Sequence, residues 1–358
     1  MSSSPEPEQV DIVRLLGHDG EPTGSAPLPA PDVLLDGYRR LVAARRLNEQ
    51  AQALVRQGRL AVYPSSRGQE ACQVACAAVL EERDWLFPTY RDTAAIVARG
   101  VDPVEVLTML RGDWHCGYDP RERRTAPQAT PLATQLLHAV GVGHAARLRG
   151  EDTVVMALCG DGATSEGDFH EACNFAAVFA APVVFFVQNN KYAISVPLAR
   201  QSVAPSLAAK ADGYGMPGVL VDGNDLPAVT RVLAEAVARA RSGDGPTLVE
   251  ADTYRMDAHT NADDATRYRT EDEVTGWGER DPLTRVRTYL TGAGVLDETG
   301  EREITAASED MAAQVRRGLA VEAPVDPDEL FAHVYATPTP QLTSQRASLR
   351  AELEDEDS

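Results

Sequence analysis

Residues 158–190 read LCGDGATSEGDFHEACNFAAVFAAPVVFFVQNN. The run from Val154 to Leu158 that leads into them is apolar and contains β-branched residues, as in a buried strand, and it ends at the glycine-aspartate-glycine turn of residues 160–162. Apolar residues then recur at helical spacing over residues 166–180, and Pro182 ends this helix before a second apolar run, Val183 to Val187. The predicted order is strand, helix, strand.

The two strands of this unit bring polar residues to one edge of the predicted sheet. Parallel strands joined by one right-handed crossover have their carboxyl ends side by side, so Asp161 and the pair Asn189-Asn190 face the same crevice. Carboxylate and amide oxygens suit Mg²⁺, which keeps open positions for phosphate oxygens. Gly160 and Gly162 let the backbone approach a diphosphate beside the helix start. This pattern predicts a metal-diphosphate site; the alternative is that the glycines form only a tight turn.

Composition indicates a soluble enzyme subunit. The chain of 358 residues has a net charge of -20, so it lacks the basic excess that non-specific nucleic-acid binding requires. Its five cysteines have no CxxC or paired zinc-type spacing, and we expect them to be reduced core residues. No apolar stretch reaches membrane-spanning length, and the start MSSSPEPEQV resembles neither a secretory signal nor a transit peptide. We expect a cytoplasmic protein without membrane or nucleic-acid partners.

Alternation of strand and helix patterns predicts an α/β fold, with a parallel sheet flanked by helices on both faces and a helical C-terminal region. Residues 1–31 are rich in proline, serine, glycine and acid, and we expect them to form a mobile leader. The main domain should cover residues 32–335, followed by a C-terminal helix and acidic tail over 336–358. Asp102 and Asp225 are predicted helix N-caps, and Gly112 and Gly150 are predicted helix stops.

Several separated blocks carry a resemblance to one enzyme family. The GDG and NN motifs, with 26 residues between them, resemble the thiamine-diphosphate fingerprint. From about Tyr38 to Tyr335 the chain is similar, more narrowly, to the alpha subunit of the thiamine-diphosphate-dependent decarboxylating component of 2-oxo acid dehydrogenase complexes. The other blocks are GQEA at 68–71, PTYRD at 88–92, PLATQ at 131–135, VDGND at 221–225, AHT at 258–260, DD at 263–264 and RYR at 267–269.

The resemblance implies thiamine diphosphate and Mg²⁺ as cofactors, bound in a thiamine-diphosphate-binding fold. It gives Mg²⁺ three ligands: Asp161, Asn190 and the carbonyl of Tyr192. Arg91 would pair with a phosphate oxygen, to which a guanidinium fork is well matched; the alternative is an arginine on a solvated loop. Thr134 and Gln135 are implied to bind K⁺. The full set of implied cofactor contacts is Tyr90, Arg91, Thr130, Leu132, Gly162, Ala163, Gln188, Asn190 and His259.

His259 follows a predicted strand, Thr247 to Ala251, in a stretch dense in aspartate, threonine and asparagine. The resemblance makes it the catalytic histidine of the alpha subunit. Titration near neutral pH would let its imidazole hydrogen-bond the reacting groups or move a proton during acyl transfer to a lipoyl group. The alternative is a solvent-facing loop histidine. Thr260 stands where some relatives are phosphorylated, and the sequence does not tell whether it is regulated.

The implied activity is oxidative decarboxylation of a 2-oxo acid and reductive acylation of a lipoyl group on an acyltransferase. The resemblance also implies a beta subunit, which in this family supplies a glutamate against the aminopyrimidine ring of the cofactor. The sequence agrees, because only one diphosphate-binding unit is found in it. We therefore expect half an active site, completed by a beta subunit in an assembly of two alpha and two beta chains. The segment Thr130 to Gln135 is closer to branched-chain members, which act on 3-methyl-2-oxobutanoate, although Arg121 to Arg124 lacks a histidine that many of them carry. The alternatives are a pyruvate dehydrogenase alpha subunit, an acetoin dehydrogenase alpha subunit and a non-catalytic cofactor-binding protein.

Overall fold

A computed structural model of the chain describes residues 11–112, 115–320 and 326–356. The chain divides into two compact units between Arg316 and Arg317, earlier than the expected boundary at residue 335. The second unit contains two described helices, and Arg350 forms an ion pair with Asp328 inside it. The predicted site residues all belong to the first unit. In the parts of the chain that the structure describes, no helix combines the length and apolar character needed to cross a bilayer.

Five parallel strands form the central sheet of the first unit, in the order β1-β2-β3-β7-β6. A separate antiparallel pair, β4 and β5, follows β3 directly. The strands are β1 Trp85–Phe87, β2 Val155–Gly160, β3 Val183–Asn189, β4 Tyr192–Ala193, β5 Val196–Pro197, β6 Gly218–Asp222 and β7 Thr247–Asp252. The predicted strand-helix-strand unit is confirmed, because β2 and β3 are adjacent and parallel.

Helices cover both faces of this sheet. The helices that begin in the first unit are α1 Pro31–Arg56, α2 Glu70–Ala78, α3 Thr93–Ala98, α4 Pro103–Arg111, α5 Pro120–Arg123, α6 Thr134–Arg149, α7 Gly167–Val178, α8 Leu226–Arg241, α9 Glu271–Gly278, α10 Pro282–Gly292 and α11 Glu298–Gly318, which ends just past the unit boundary. The second unit holds α12 Glu329–Ala332 and α13 Pro340–Glu356. Short 3₁₀ helices span Asp161–Ser165, Leu198–Arg200, Ala208–Tyr214 and Ala265–Arg267.

Alternate residues of the central strands enter different cores, as the two-residue period of a strand requires. Met156 and Phe186 pack in the core with α1, α2 and α8, whereas Ala157 and Phe185 pack with α6 and α7. This burial on both faces explains the near-continuous apolar runs of β2 and β3. The α/β prediction is therefore confirmed. The five cysteines are unpaired, and all except Cys116 are buried.

Helix ends follow the predicted caps. The Asp102 carboxylate accepts a hydrogen bond from the Val104 N–H at the start of α4, and the Asp225 carboxylate accepts one from the Ala228 N–H in α8. Gly112 and Gly150 end α4 and α6 in the left-handed region, with φ of 110° and 67°. These caps are confirmed.

The N-terminal strap, residues 13–16, corrects the expectation of a mobile leader through residue 31. The Val13 N–H donates to the Leu220 carbonyl (2.9 Å), and the Asp222 N–H donates to the Val13 carbonyl (3.0 Å). The N–H groups of Leu15 and Leu16 both donate to the Asp225 carboxylate. Both leucine side chains are buried and anchor this short segment. The polar residues around it explain why composition predicted a mobile segment. The first ten residues lie outside the described part of the chain.

Candidate active site

A pocket lies at the carboxyl ends of β2, β3 and β7, where parallel α/β sheets place their binding sites. Polar side chains from separate segments meet here because each segment leaves the sheet at this edge. The predicted site residues that line the pocket are Tyr90, Arg91, Leu132, Gln135, Asp161, Gly162, Ala163, Gln188, Asn190, Tyr192 and His259. Thr130 is exposed beside the pocket, whose wall includes its neighbours Ala129 and Pro131.

Three oxygens converge where the sequence predicts a metal. The side-chain oxygen of Asn190 lies 3.2 Å from Oδ1 of Asp161 and 3.1 Å from the carbonyl oxygen of Tyr192. Such spacings suit neighbouring ligands of an octahedral ion with bonds of about 2.1 Å, whereas three oxygens this close repel one another unless a cation lies between them. The backbone N–H groups of Tyr192 and Asn190, which donate to Asn190 and Asp161 at 3.3 Å, offset only part of that repulsion. The residues therefore fit Mg²⁺. No group of three or more His, Cys, Asp or Glu side chains placed to hold a metal occurs in the described ranges, so a site here depends on neutral oxygens.

Backbone geometry aims these ligands. Lys191, between Asn190 and Tyr192, adopts a left-handed conformation with φ of 78°, and its ammonium group forms an ion pair with Asp252. Gly162 meets the same turn from the other side, because a Cβ atom added to it would lie 2.7 Å from the Cβ of Ala193. Burial raises the pKa of Asp161, while Gln201, whose Nε2 donates to Oδ2 at 2.8 Å, favours the carboxylate. Oδ1 accepts from the Asn190 N–H at 3.3 Å and faces the pocket's other oxygens.

Two buried guanidinium groups form the positive wall of the pocket. Arg91 donates to the Ser65 carbonyl and Arg255 to the carbonyls of Tyr192 and Ile194. Within the described residues neither makes an ion pair, and Nε of Arg255 has no hydrogen-bond partner. A buried cation without a counter-charge is costly unless an anion joins it. The pocket is therefore suited to an anion such as a diphosphate.

His259 lies against both arginines. Its Nδ1 is 3.0 Å from Nη2 of Arg91 and 3.4 Å from Nη1 of Arg255. Burial first, then the charges of Arg91 and Arg255, lower the pKa of His259 to about 4. The expectation of near-neutral titration is therefore wrong for this arrangement, in which the imidazole is neutral at pH 7. Because guanidinium groups only donate, Nδ1 is the acceptor and the ring proton is assigned to Nε2.

The loop that carries His259 is held by a network of polar contacts. The backbone N–H of His259 donates to the Asp263 carboxylate at 2.7 Å, and the Tyr268 hydroxyl donates to the same oxygen. Arg255 donates to that hydroxyl at 2.8 Å. The guanidinium of Arg269 donates to the carbonyl of Met256 at 2.7 Å, which holds the start of the same loop. The imidazole is thus fixed in the pocket wall and is not a freely solvated side chain.

Thr134 and Gln135 lie at the start of α6. Gln135 is buried and donates to the Leu158 carbonyl at 2.8 Å, but its Oε1 has no hydrogen-bond partner among the described residues. Thr134 instead donates to Asp168, with a separation of 3.3 Å. An unpartnered buried carbonyl oxygen is unfavourable unless a cation or donor meets it. This orphan atom fits a cation ligand, and the role of both residues stays a prediction.

Sequence reasoning missed three residues of this site. Arg255 gave no signal except its position four residues before His259, just beyond a buried strand. Gln69 and Gln201 hydrogen-bond the predicted metal ligands Asn190 and Asp161. Gln69 lies in the GQEA block that carries the resemblance but was given no role, and Gln201 has no sequence signal for one. Their functions depend on contacts over 121 and 40 positions of the chain, which only the fold defines.

Comparisons with known proteins agree with this geometry. The family model described as "Dehydrogenase E1 component" matches residues 38–317. The chain is 50% identical over 348 residues to the 3-methyl-2-oxobutanoate dehydrogenase subunit alpha of Mycobacterium tuberculosis, covering 96% of this chain and 95% of that protein. It is 39% identical over 297 residues to the pyruvate dehydrogenase E1 component subunit alpha of Staphylococcus aureus, covering 82% of this chain and 80% of that protein. The resemblance drawn from the sequence blocks is confirmed, and the chain belongs to the dehydrogenase E1 component family of enzymes.

Proposed function

We propose that the chain is the alpha subunit of a thiamine-diphosphate-dependent 3-methyl-2-oxobutanoate dehydrogenase. The observation that carries this proposal is the pocket in which three convergent oxygens, two buried unpaired guanidinium groups and His259 come together. The relative with 50% identity over nearly the whole chain supports the branched-chain substrate. Pyruvate is the second candidate because a relative with 39% identity is a pyruvate dehydrogenase component.

Thiamine diphosphate supplies, when bound, an electron sink that makes decarboxylation of a 2-oxo acid possible. Asp161, Asn190 and the Tyr192 carbonyl would hold Mg²⁺, and Arg91 and Arg255 would bind the diphosphate oxygens as charged donors. The remaining predicted contacts, Tyr90, Thr130, Leu132, Gly162, Ala163 and Gln188, would surround the cofactor. One N–H of Gln188 is already used by Asp92 at 2.7 Å, which leaves its second N–H for a ligand.

His259 would act as a hydrogen-bond donor. Since Nδ1 accepts from Arg91, the proton on Nε2 is available to the reacting carbonyl or to the lipoyl group. An anion bound to Arg91 and Arg255 would offset their charges, and the pKa of His259 would then rise from about 4. The imidazole could move a proton more readily in that state. K⁺ bound by Gln135 and Thr134 would hold the start of α6, where Leu132 enters the pocket.

A beta subunit would complete the site. Within the described pocket wall the acidic side chains are Asp92 and Asp161. Asp92 accepts four protein hydrogen bonds, and Asp161 faces the metal position. Neither is free to contact the aminopyrimidine end of the cofactor, so the carboxylate that activates this ring would come from another chain. We infer an assembly of two alpha and two beta chains that transfers its acyl group to a lipoyl-bearing acyltransferase.

The test is reconstitution of the alpha chain with its beta partner. Steady-state rates with 3-methyl-2-oxobutanoate, pyruvate and acetoin should favour the branched-chain acid. Asp161→Ala should abolish Mg²⁺-dependent binding of thiamine diphosphate, whereas Asp212→Ala, at an exposed acid outside the pocket wall, serves as the control. A higher kcat/KM for pyruvate would make pyruvate the assigned substrate. Decarboxylation by the alpha chain alone would refute an active site shared with a beta subunit.

A further inference from the structure

A chain of buried amides joins the metal position to a distant carboxylate. Asn190 Nδ2 donates to Gln69 Oε1 (3.0 Å), Gln69 Nε2 donates to Gln188 Oε1 (2.9 Å), and Gln188 Nε2 donates to Asp92 Oδ1 (2.7 Å). All four side chains are at most 6% exposed. Gln73 adds a parallel donor to Asp92 at 3.1 Å. Water therefore does not compete with these contacts.

Each amide in this chain can reverse by exchanging its oxygen and nitrogen, so the amides alone do not fix a direction. Asp92 does. Its Oδ2 accepts from the N–H and hydroxyl of Thr89, both at 2.7 Å, and its Oδ1 accepts from Gln188 and Gln73. A carboxylate with four donors only accepts, so Gln188 must turn its nitrogen toward it. That choice passes through Gln69 to Asn190.

We propose that Asp92, through Gln188 and Gln69, orients Asn190 so that its oxygen faces the metal. This proposal rests on the proposed function, because it assigns positioning residues to the Mg²⁺ site. In the present orientation the oxygen of Asn190 accepts one hydrogen bond, from the Tyr192 N–H at 3.3 Å. Reversal would give up that bond and place the nitrogen 3.2 Å from Asp161 and 3.1 Å from the Tyr192 carbonyl, so Asn190 taken alone would gain two hydrogen bonds for one. Reversal would also bring its oxygen to 3.0 Å from the oxygen of Gln69. The relay prevents that reversal and keeps three oxygens together.

Asp92→Asn makes this direction reversible. The new amide keeps its oxygen toward the donors of Thr89 and turns an N–H toward Gln188 and Gln73. The nitrogen of Gln73 lies 3.1 Å from Asp92 Oδ1 and 3.4 Å from Gln188 Oε1, so Gln73 has to reverse as well, and its oxygen, unpartnered among the described residues, then accepts the new N–H groups. Gln188, Gln69 and Asn190 then reverse in sequence, and an N–H replaces the third metal oxygen. Loss of an outer partner of a metal ligand typically lowers metal affinity by about 10- to 100-fold, and we expect a loss of that size here.

The experiment titrates Mn²⁺, an oxygen-preferring substitute for Mg²⁺, into the full chain in its beta-subunit assembly with thiamine diphosphate, and measures bound ion by electron paramagnetic resonance. Asp225→Asn is the matched control, since Asp225 is equally buried and accepts only from backbone N–H groups. The control should bind Mn²⁺ as the unmodified chain does. Gln69→Met breaks the relay without changing Asp92 and should also weaken Mn²⁺ binding. It tests the relay if Asp92→Asn does not fold.

A double variant separates positioning from general damage. In the reversed relay an N–H of Gln69 faces position 190, so a carboxylate there accepts it and still offers an oxygen to the metal. Asn190→Asp should therefore improve Mn²⁺ affinity more in the Asp92→Asn background than in the unmodified chain, where it meets the oxygen of Gln69. Equal effects in both backgrounds, or unchanged affinity in Asp92→Asn and Gln69→Met, overturn the relay alone. Absence of Mn²⁺ binding by the unmodified assembly overturns the metal site and the relay with it.

Discussion

Arg255 offers a test of the anion site that does not depend on sequence resemblance. Replacing it with methionine preserves an unbranched side chain and removes one buried positive charge. Two effects are expected, in two different measurements. The affinity for thiamine diphosphate should fall because a charged donor is lost, and the pKa of His259 should rise because one of the charges that lower it is gone.

The structure sets the size of both effects. A hydrogen bond to a charged group contributes about 1.5–3 kcal/mol, so its loss corresponds to about a 10- to 150-fold increase in Kd for thiamine diphosphate. Burial, Arg91 and Arg255, in that order, lower the pKa of His259 from 6.5 to about 4. Since Arg255 is the smallest of these three causes, its removal should raise the pKa only part of the way from about 4 toward 6.5.

The assay combines calorimetric titration of thiamine diphosphate into the alpha-beta assembly with an NMR titration of the His259 ring. Arg285→Met is the matched control, because Arg285 is equally buried but pairs with Asp222 away from the pocket. Arg255→Lys should bind with intermediate affinity, since it keeps the charge and loses the fork. Unchanged affinity together with an unchanged histidine pKa in Arg255→Met would refute the assignment of this arginine to the anion site.

Three further predictions follow from single contacts. Gln135→Leu should abolish any stabilisation of the assembly by K⁺ over Na⁺, measured as Tm in either salt; a K⁺ effect that survives would contradict the role given to its unpartnered oxygen. Because the folded-state pKa of His259 lies near 4 and the unfolded value near 6.5, the unfolded chain binds more protons between these values, and stability falls as pH drops through this window. Its partial exposure limits the loss to about 1 kcal/mol, and urea unfolding at both ends of the window should show a smaller loss in His259→Gln. Leu16→Ala should lower the free energy of unfolding by about 2–5 kcal/mol if the strap is packed as described, whereas a negligible change in urea unfolding would mean it is not.

Local sequence patterns predicted the part of the fold nearest the fingerprint. The apolar runs of β2 and β3 were readable because both faces of these strands are buried, and Asp102 and Asp225 were readable as caps because capping depends on residues a few positions away. Helix α1 begins at Pro31, and proline suits the first turn of a helix because its φ is fixed near the helical value.

Contacts between distant segments set the limit of sequence reasoning. Asp161 and Asn190 could be placed together because one crossover connects their strands. Arg255 could not be assigned, since a single arginine is ordinarily a surface residue, and its burial beside Arg91 results from packing of two loops. The lowered pKa of His259 was unpredictable for the same reason, because both neighbouring charges come from the folded pocket. The amide relay likewise exists only after α2, β3 and the loop before α3 have assembled.

The N-terminal strap has a consequence for how the chain reaches its folded state. Strand β6 is the last strand of the sheet, and its open side would be available to strands of other molecules during folding. The backbone bonds of Val13 occupy part of that side, and Arg14 binds Asp222 from 208 positions away. The segment around Val13 is synthesised before β6 and must therefore wait for it before it can dock, and contacts of such range form slowly. Expression yield should depend on this segment, since a chain that lacks it exposes a template for aggregation.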